Sequence, residues 1–300
     1  MTTAIEVSDL TKQYRGAPVL RGVDLRAEQG EVLALLGSNG AGKTTTISIL
    51  TTLLRADGGT ATVAGCDVHR DPEGVRRRIS LTGQSAAVDD ALTGVENVVM
   101  LCRLSGLSPR AARHRAGELL ERFALTDAGS RRVKTYSGGM RRRLDLALSF
   151  VVRPEVLFLD EPTTGVDPRS RLDLWEVIRS LADAGTTVFL TTQYLEEADR
   201  LANRIAVLHE GRIIRTGTAG ELKAQFGSDT LVAEDAAGTV IAEIPTDGSI
   251  AGLRRALDEL DDADPSRRPA SVQLRRPTLD DVFLTLTATD ADRPAVKEFA

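Results

Sequence analysis

Apolar residues along this chain follow two patterns. In the first they form short, nearly unbroken runs: Val32–Leu36, Val156-Leu157-Phe158-Leu159, and Val188-Phe189-Leu190 between threonines. Runs of this length, apolar on both faces, predict strands buried in a parallel sheet. In the second they recur at helical spacing, as at Val95, Val98, Val99 and Cys102, and again at Leu119, Leu120 and Phe123. That spacing predicts helices with one buried face over residues 94–150.

The remaining elements fall between these landmarks. Residues 5–36 read as short alternating strands punctuated by Gly16, Gly22 and Gly30, and residues 60–64 as a strand after a Gly58-Gly59 turn. Pro72–Arg78 suits a helix capped by Asp71, with Pro72 in its first position. Ile79-Ser80-Leu81 is a strand that delivers Gln84 into a loop, and Ser108-Pro109 opens a helix. Residues 168–182 and 194–201 are helical, and residues 205–214 form a hairpin around Glu210-Gly211. Strands alternating with helices imply an α/β fold with a mainly parallel sheet covered on both faces.

After residue 227 the pattern changes. Strands at 231–233, 239–244 and 272–274, with helices at 250–260 and 278–286, suggest a small α+β domain over 228–287. Thr278 caps the last helix, with Asp280 and Asp281 in its first turn. Residues 261–270 read as a polar loop and 288–300 as a mobile tail. The main domain is 1–227, with a helical insert at about 85–150.

Composition narrows the choice of function. The chain has 300 residues, 42% of them hydrophobic, and a formal net charge of -5. That is not the basic excess of a nucleic-acid binder. The arginine triplets at 76–78 and 141–143 read as solvated helix faces. The two cysteines, Cys66 and Cys102, make no C-x-x-C motif, so the cytosol is the expected compartment. The N-terminus lacks the basic and apolar blocks of a signal peptide. No apolar run approaches the roughly 20 residues of a membrane helix, so a membrane role would pass through a partner chain. His69, His114 and His209 lie outside every motif and read as surface or turn residues.

The chemistry centres on Gly37-Ser38-Asn39-Gly40-Ala41-Gly42-Lys43-Thr44-Thr45, which fits G-x-x-x-x-G-K-[ST] between a predicted strand and a predicted helix. Four constrained positions coincide by chance in only ~1% of chains this long, so a turn that binds nothing is a poor alternative. The glycines let successive N–H groups turn toward an anion, and the helix start adds partial positive charge. Lys43 can reach the β- and γ-phosphates and Thr44 can ligate Mg2+. Downstream, the apolar strand ending in Asp160-Glu161 offers a carboxylate for Mg2+ and one to polarise the attacking water. Together the two motifs point to nucleotide hydrolysis.

Between them lies Tyr136-Ser137-Gly138-Gly139-Met140-Arg141, and here the chain resembles the ABC ATPases, whose signature is usually written LSGGQ. The resemblance covers about residues 4–225, with the motifs in family order. It implies the P-loop NTPase fold of ABC ATPases: a mainly parallel core, an antiparallel β subdomain and a helical signature subdomain. It further implies that Tyr14 stacks on adenine. Gln84 would contact Mg2+ and the attacking water, and Gly165-Val166-Asp167 is the D-loop. Ser137, Gly138 and Gly139 would meet the γ-phosphate of ATP held by a second subunit, in an ATP-dependent head-to-tail homodimer. Residues 136–147, 191–199 and 276–284 are similar to those of daunorubicin/doxorubicin-resistance exporter subunits. That implies a separate ABC-2 type membrane subunit, export of a hydrophobic drug or antibiotic, and a peripheral place on the cytoplasmic face of the membrane.

Two positions depart from the family. Met140 replaces the usual signature glutamine, with little effect expected. Gln193 stands where most members carry a switch histidine. Glutamine can hydrogen-bond a phosphate but cannot be protonated near neutral pH, so Gln193 is expected to sense the γ-phosphate and leave Glu161 as the main catalytic group. The competing readings are a soluble ABC-type ATPase acting on nucleic acid or the ribosome, and a regulatory module with little turnover. One cassette, no cysteine cluster and intact Asp160 and Glu161 weigh against both, and no nucleic-acid partner is expected.

Overall fold

The computed structural model describes residues 2–83, 88–226, 229–263 and 269–287. Gln84, residues 264–268 of the expected polar loop and the tail at 288–300 lie outside the described residues, and residues 261–263 continue a helix instead of starting that loop. The chain divides into two compact units, Met1–Thr216 and Gly217–Ala300.

The first unit opens with β1 (Thr3–Tyr14), β2 (Ala17–Glu28), β3 (Val32–Leu36), α1 (Lys43–Leu50), β4 (Gly58–Val63) and β5 (Cys66–Asp67). Next come α2 (Pro72–Arg78), β6 (Ile79–Thr82), α3 (Gly94–Leu104), α4 (Pro109–Arg122) and α5 (Gly138–Ser149). It continues with β7 (Val156–Asp160), α6 (Pro168–Asp183), β8 (Thr187–Thr192), α7 (Leu195–Leu201), β9 (Arg204–His209) and β10 (Arg212–Gly217). The central sheet has the order β10-β9-β3-β8-β7-β6. The pairs β9–β3, β3–β8, β8–β7 and β7–β6 are all parallel. A second sheet, β2-β1-β4-β5, is antiparallel. One apolar cluster joins the two sheets to α1, through Leu10, Leu20, Leu33, Ile47, Phe158 and Phe189 among others. Nearly all of these side chains are out of water, which is what drives the sheets together.

The predicted caps are present. Asp71 accepts from Gly74 N at 2.9 Å and Ser108 from Ala111 N at 3.3 Å. Leu119, Leu120 and Phe123 are buried as their spacing implies, and Phe123 stacks at a tilt on Phe150, with 5.8 Å between ring centroids. On α3 the pattern holds for Val98 and Cys102 but not for Val95, which is 38% exposed. Asn97 is buried on that helix instead. Its amide donates to Asp89 O and Thr93 O and accepts from Asp89 N, so the preceding loop is stitched to the helix by a polar side chain.

In the second unit, α8 (Ala219–Phe226) precedes β11 (Asp229–Glu234), β12 (Val240–Thr246), α9 (Ile250–Ala263), β13 (Ser271–Arg275) and α10 (Leu279–Thr287). The strands pair antiparallel in the order β12-β11-β13. Leu231, Ile244, Ala256, Leu253 and Leu260 form a small core between α9 and the sheet. Thr278 caps α10, and α8 packs on α10 within this unit.

Candidate active site

Register in the parallel sheet sets the site. Leu36 pairs with Thr192, and Asp160 with Thr191. The carboxyl ends of β3, β8 and β7 are therefore level, and the chain leaving each one arrives at the same place. From β3 comes the loop Gly37 to Gly42, from β7 comes Glu161 and from β8 comes Gln193. Clefts at the carboxyl ends of parallel strands are where open α/β sheets bind ligands.

The loop has little room for side chains. A Cβ on Gly37 would lie 2.5 Å from Leu208 O, and one on Gly42 would lie 2.6 Å from Leu20 Cδ2. Gly42 also has φ 112°, which favours glycine. Ser38, Asn39 and Gly40 are exposed, and Ala41 is buried. α1 starts at Lys43, so its first-turn N–H groups have no intrahelical acceptor. Thr45 is half-buried in that turn. Lys43 is 4% exposed; its Nζ donates to Gly37 O at 2.8 Å and Ser38 O at 3.1 Å and lies 3.3 Å from Glu161 Oε1.

Thr44 Oγ1 donates to Asp160 Oδ1 at 3.4 Å, and Thr191 Oγ1 donates to the same oxygen at 2.6 Å. Glu161 follows with φ 49°, a left-handed conformation that non-glycine residues adopt only when held there. It is held by Glu161 N, which donates to Thr191 O and Thr191 Oγ1, each at 3.1 Å. The turn brings the Glu161 carboxylate to Lys43. The structure thus gathers Lys43, Thr44, Asp160 and Glu161 at one point, with half-buried Gln193 on the adjacent strand end. A hydroxyl and a carboxylate within hydrogen-bond reach at a helix start are hard oxygen donors, which fit a small divalent cation shared with phosphate.

Three further expected positions lie elsewhere. Tyr14 ends β1 in the antiparallel sheet, 46% exposed, with Lys12 Nζ 5.8 Å from its ring centre. Ser137 caps α5 by accepting from Met140 N at 3.2 Å. Ser137 and Gly138 are exposed, while Gly139 is buried so closely that a Cβ there would lie 2.4 Å from Ser170 Cβ. Asp167 caps α6 by accepting from Ser170 N at 3.0 Å, and hydrogen bonds of this kind hold its carboxyl below the usual range. The signature therefore packs on Ser170 in the first turn of α6, directly after the D-loop.

The arginine triplet on α5 corrects the sequence reading. Arg142 is not a solvated residue: it is 7% exposed and hydrogen-bonded on several sides. Its Nε donates to Pro162 O at 2.8 Å, and Nη1 donates to Gly83 O at 2.6 Å and Asp145 Oδ2 at 3.1 Å. Burial pulls its pKa down, opposed by the carboxylates of Asp145, Glu197 and Asp160. α5 is buried on most of its circumference, so one of its arginines has to be buried too. Glu197 on α7 also escaped the sequence reading. It is 0% exposed and accepts from Trp175 Nε1 at 3.0 Å. Burial pushes its carboxyl up, against the hydrogen bond from Trp175 and the charge of Arg171. The sequence shows Thr191 only as a hydroxyl ending an apolar strand, and the sheet register sets it beside Asp160.

Known proteins agree with this geometry. The family model described as ABC transporter matches residues 20–164. Daunorubicin/doxorubicin resistance ATP-binding protein DrrA of Streptomyces peucetius is 51% identical, over 100% of this chain and 97% of its own length. Doxorubicin resistance ATP-binding protein DrrA of Mycobacterium tuberculosis is 47% identical, over 95% of this chain and 93% of its own. A solved structure described as the ATP binding subunit of an ABC transporter superposes with a TM-score of 0.65 at 30% identity, covering 74% of this chain and 93% of that one. Among the described residues no helix is long and apolar enough to cross a membrane. With a phosphate loop, a signature helix and a paired carboxylate strand end in this order, and relatives matching along nearly its whole length, the chain belongs to the ABC transporter family, as an ATP-hydrolysing subunit in the group of the daunorubicin/doxorubicin resistance ATP-binding proteins.

Proposed function

We propose that this chain powers the export of a hydrophobic drug or antibiotic through a separate ABC-2 type membrane subunit, which it joins at the cytoplasmic face of the membrane. The observation that carries the reading is the meeting of Lys43, Thr44, Asp160 and Glu161 at the level ends of β3, β7 and β8. Residues Gly37 to Thr45 hold the triphosphate with backbone N–H groups and the Lys43 charge. Thr44 and Asp160, with Gln84, would hold Mg2+, which when bound neutralises phosphate charge. Glu161 orients and polarises the attacking water. Gln193 senses the γ-phosphate through a hydrogen bond, and Tyr14 stacks on the adenine.

Exposed Ser137 and Gly138 at the start of α5 offer an anion site to another molecule. Gly139, packed on Ser170, and Asp167 at the start of α6 complete that surface. This supports a head-to-tail homodimer in which each signature meets the ATP of its partner, closed by ATP and reopened by hydrolysis. A role on nucleic acid or the ribosome is set aside, since the relatives named for drug resistance match the whole chain.

The test is to isolate the tagged Glu161→Gln chain from gently solubilised native cells, with and without ATP and Mg2+. Recovery of a polytopic membrane protein in comparable amount is expected. Recovery of ribosomes, nucleic acid or soluble proteins alone would overturn the exporter reading and leave the ATPase chemistry intact.

A further inference from the structure

We infer that Arg142 is a positioning residue for hydrolysis, fixing the signature helix against the backbone beside Glu161 and the backbone beside Gln84. The inference rests on the proposed role of Ser137, Gly138 and Gly139 across a dimer.

Arg142 lies five residues past the cap Ser137, so it leaves α5 at the first turns after the signature. One guanidinium then spans two loops: Nε reaches Pro162 O, the carbonyl next after Glu161, and Nη1 reaches Gly83 O, the carbonyl just before Gln84. The same Nη1 reaches Asp145 one turn along its own helix, so the charge is balanced within α5. Asp145, Glu197 and Asp160 are the acidic groups that face it. A planar guanidinium presents donors in fixed and diverging directions, whereas a lysine presents one nitrogen at one point. Arginine is therefore the side chain that can hold both carbonyls at once. Any shift of the loop at Gly83 is passed to α5, and through α5 to the N–H groups at Ser137 and Gly138. The same side chain sets the carbonyl that follows the general base.

A positioning role acts on turnover, not on loading of the phosphate loop, because among the described residues the hydrogen bonds of Arg142 go to Pro162, Gly83 and Asp145. Two variants test this. Arg142→Lys keeps the charge beside Asp145 and loses the fork. Arg142→Met with Asp145→Asn removes both charges together, so no buried ion is left alone. Gly138→Asp serves as the reference for the signature, since a Cβ there meets nothing nearer than Gly165 O at 3.9 Å.

Each variant, as the full chain in its native membranes, is measured for hydrolysis against ATP concentration. A fluorescent ATP analogue and thermal melting report on loading and folding. The expected result for both Arg142 variants is a kcat lower by roughly 10- to 100-fold, with analogue affinity within about two-fold of wild type and a melting point near it. If Gly138→Asp loses turnover while both Arg142 variants keep it, or if their loss only follows lost affinity or folding, the positioning role is overturned and the signature reading stands. If Gly138→Asp also turns over normally, the signature reading falls and takes this inference with it.

Discussion

Glu161 carries the backbone strain of the site and, in the proposed function, its chemistry. Its left-handed backbone is held by Thr191, and its carboxylate faces Lys43 at 3.3 Å. Glu161→Gln keeps the shape and removes the base, so kcat is expected to fall by about 10²–10⁴ with ATP binding retained. Parallel hydrolysis and analogue-binding assays check this. If Gln193 senses the γ-phosphate as proposed, Gln193→Ala removes one hydrogen bond to a charged phosphate, roughly 1.5–3 kcal/mol, which predicts a loss of about 10- to 100-fold in kcat. A Gln193→Ala enzyme running at the wild-type rate would remove the sensor role.

Glu197 gives a pH prediction with a definite sign. Its folded pKa lies above the unfolded value, so the folded state binds the extra proton. Stability from this group is full below the unfolded pKa and declines as pH rises toward the folded one. Glu197→Gln mimics the protonated form and should flatten that decline. Melting curves at about pH 5.5 and 8.5 are expected to favour the variant more at the higher pH. The motif residues were legible because their chemistry demands fixed types at fixed spacing. Arg142 and Glu197 were not. Three adjacent arginines look alike in a sequence, and only packing around α5 decides which one turns inward.

Among the elements, α5 and α6 are the pair that the proposed dimer leans on. Gly139 sits against Ser170 with no space for a methyl group. Gly139→Ala is expected to destabilise by roughly 1–3 kcal/mol through overpacking, and Ser170→Gly in the same chain should recover part of it. Denaturant midpoints of the two single variants and the double variant check the coupling. The strands β3, β7 and β8 were legible because strands buried on both faces are apolar throughout. The sequence predicts short strands where the structure has the twelve-residue strands β1 and β2. Register shifts between Val7 and Leu10 and at other points break their alternation, as bulges do. Val95 misled for a related reason. Asn97 bonds three backbone groups and takes a buried place that the apolar pattern assigns to valine.

For the whole molecule, every residue proposed to touch nucleotide belongs to the unit Met1–Thr216. A chain ending after Thr216 is therefore expected to bind a fluorescent ATP analogue within about two-fold of the full chain. A cut after Phe226 would instead leave α8 without α10, on which it packs. Strand and helix patterns showed the elements from β11 to α10 in the sequence, while α8, which the second unit includes, falls inside the 1–227 domain read from the sequence. The central claim is that hydrolysis at this site drives export. The most direct measurement uses inside-out vesicles carrying the chain with its membrane subunit, and follows ATP-dependent uptake of a fluorescent anthracycline. The account predicts uptake with the wild-type chain and none with Glu161→Gln. Equal uptake by the two, or steady hydrolysis with no uptake of any hydrophobic drug tested, would contradict it.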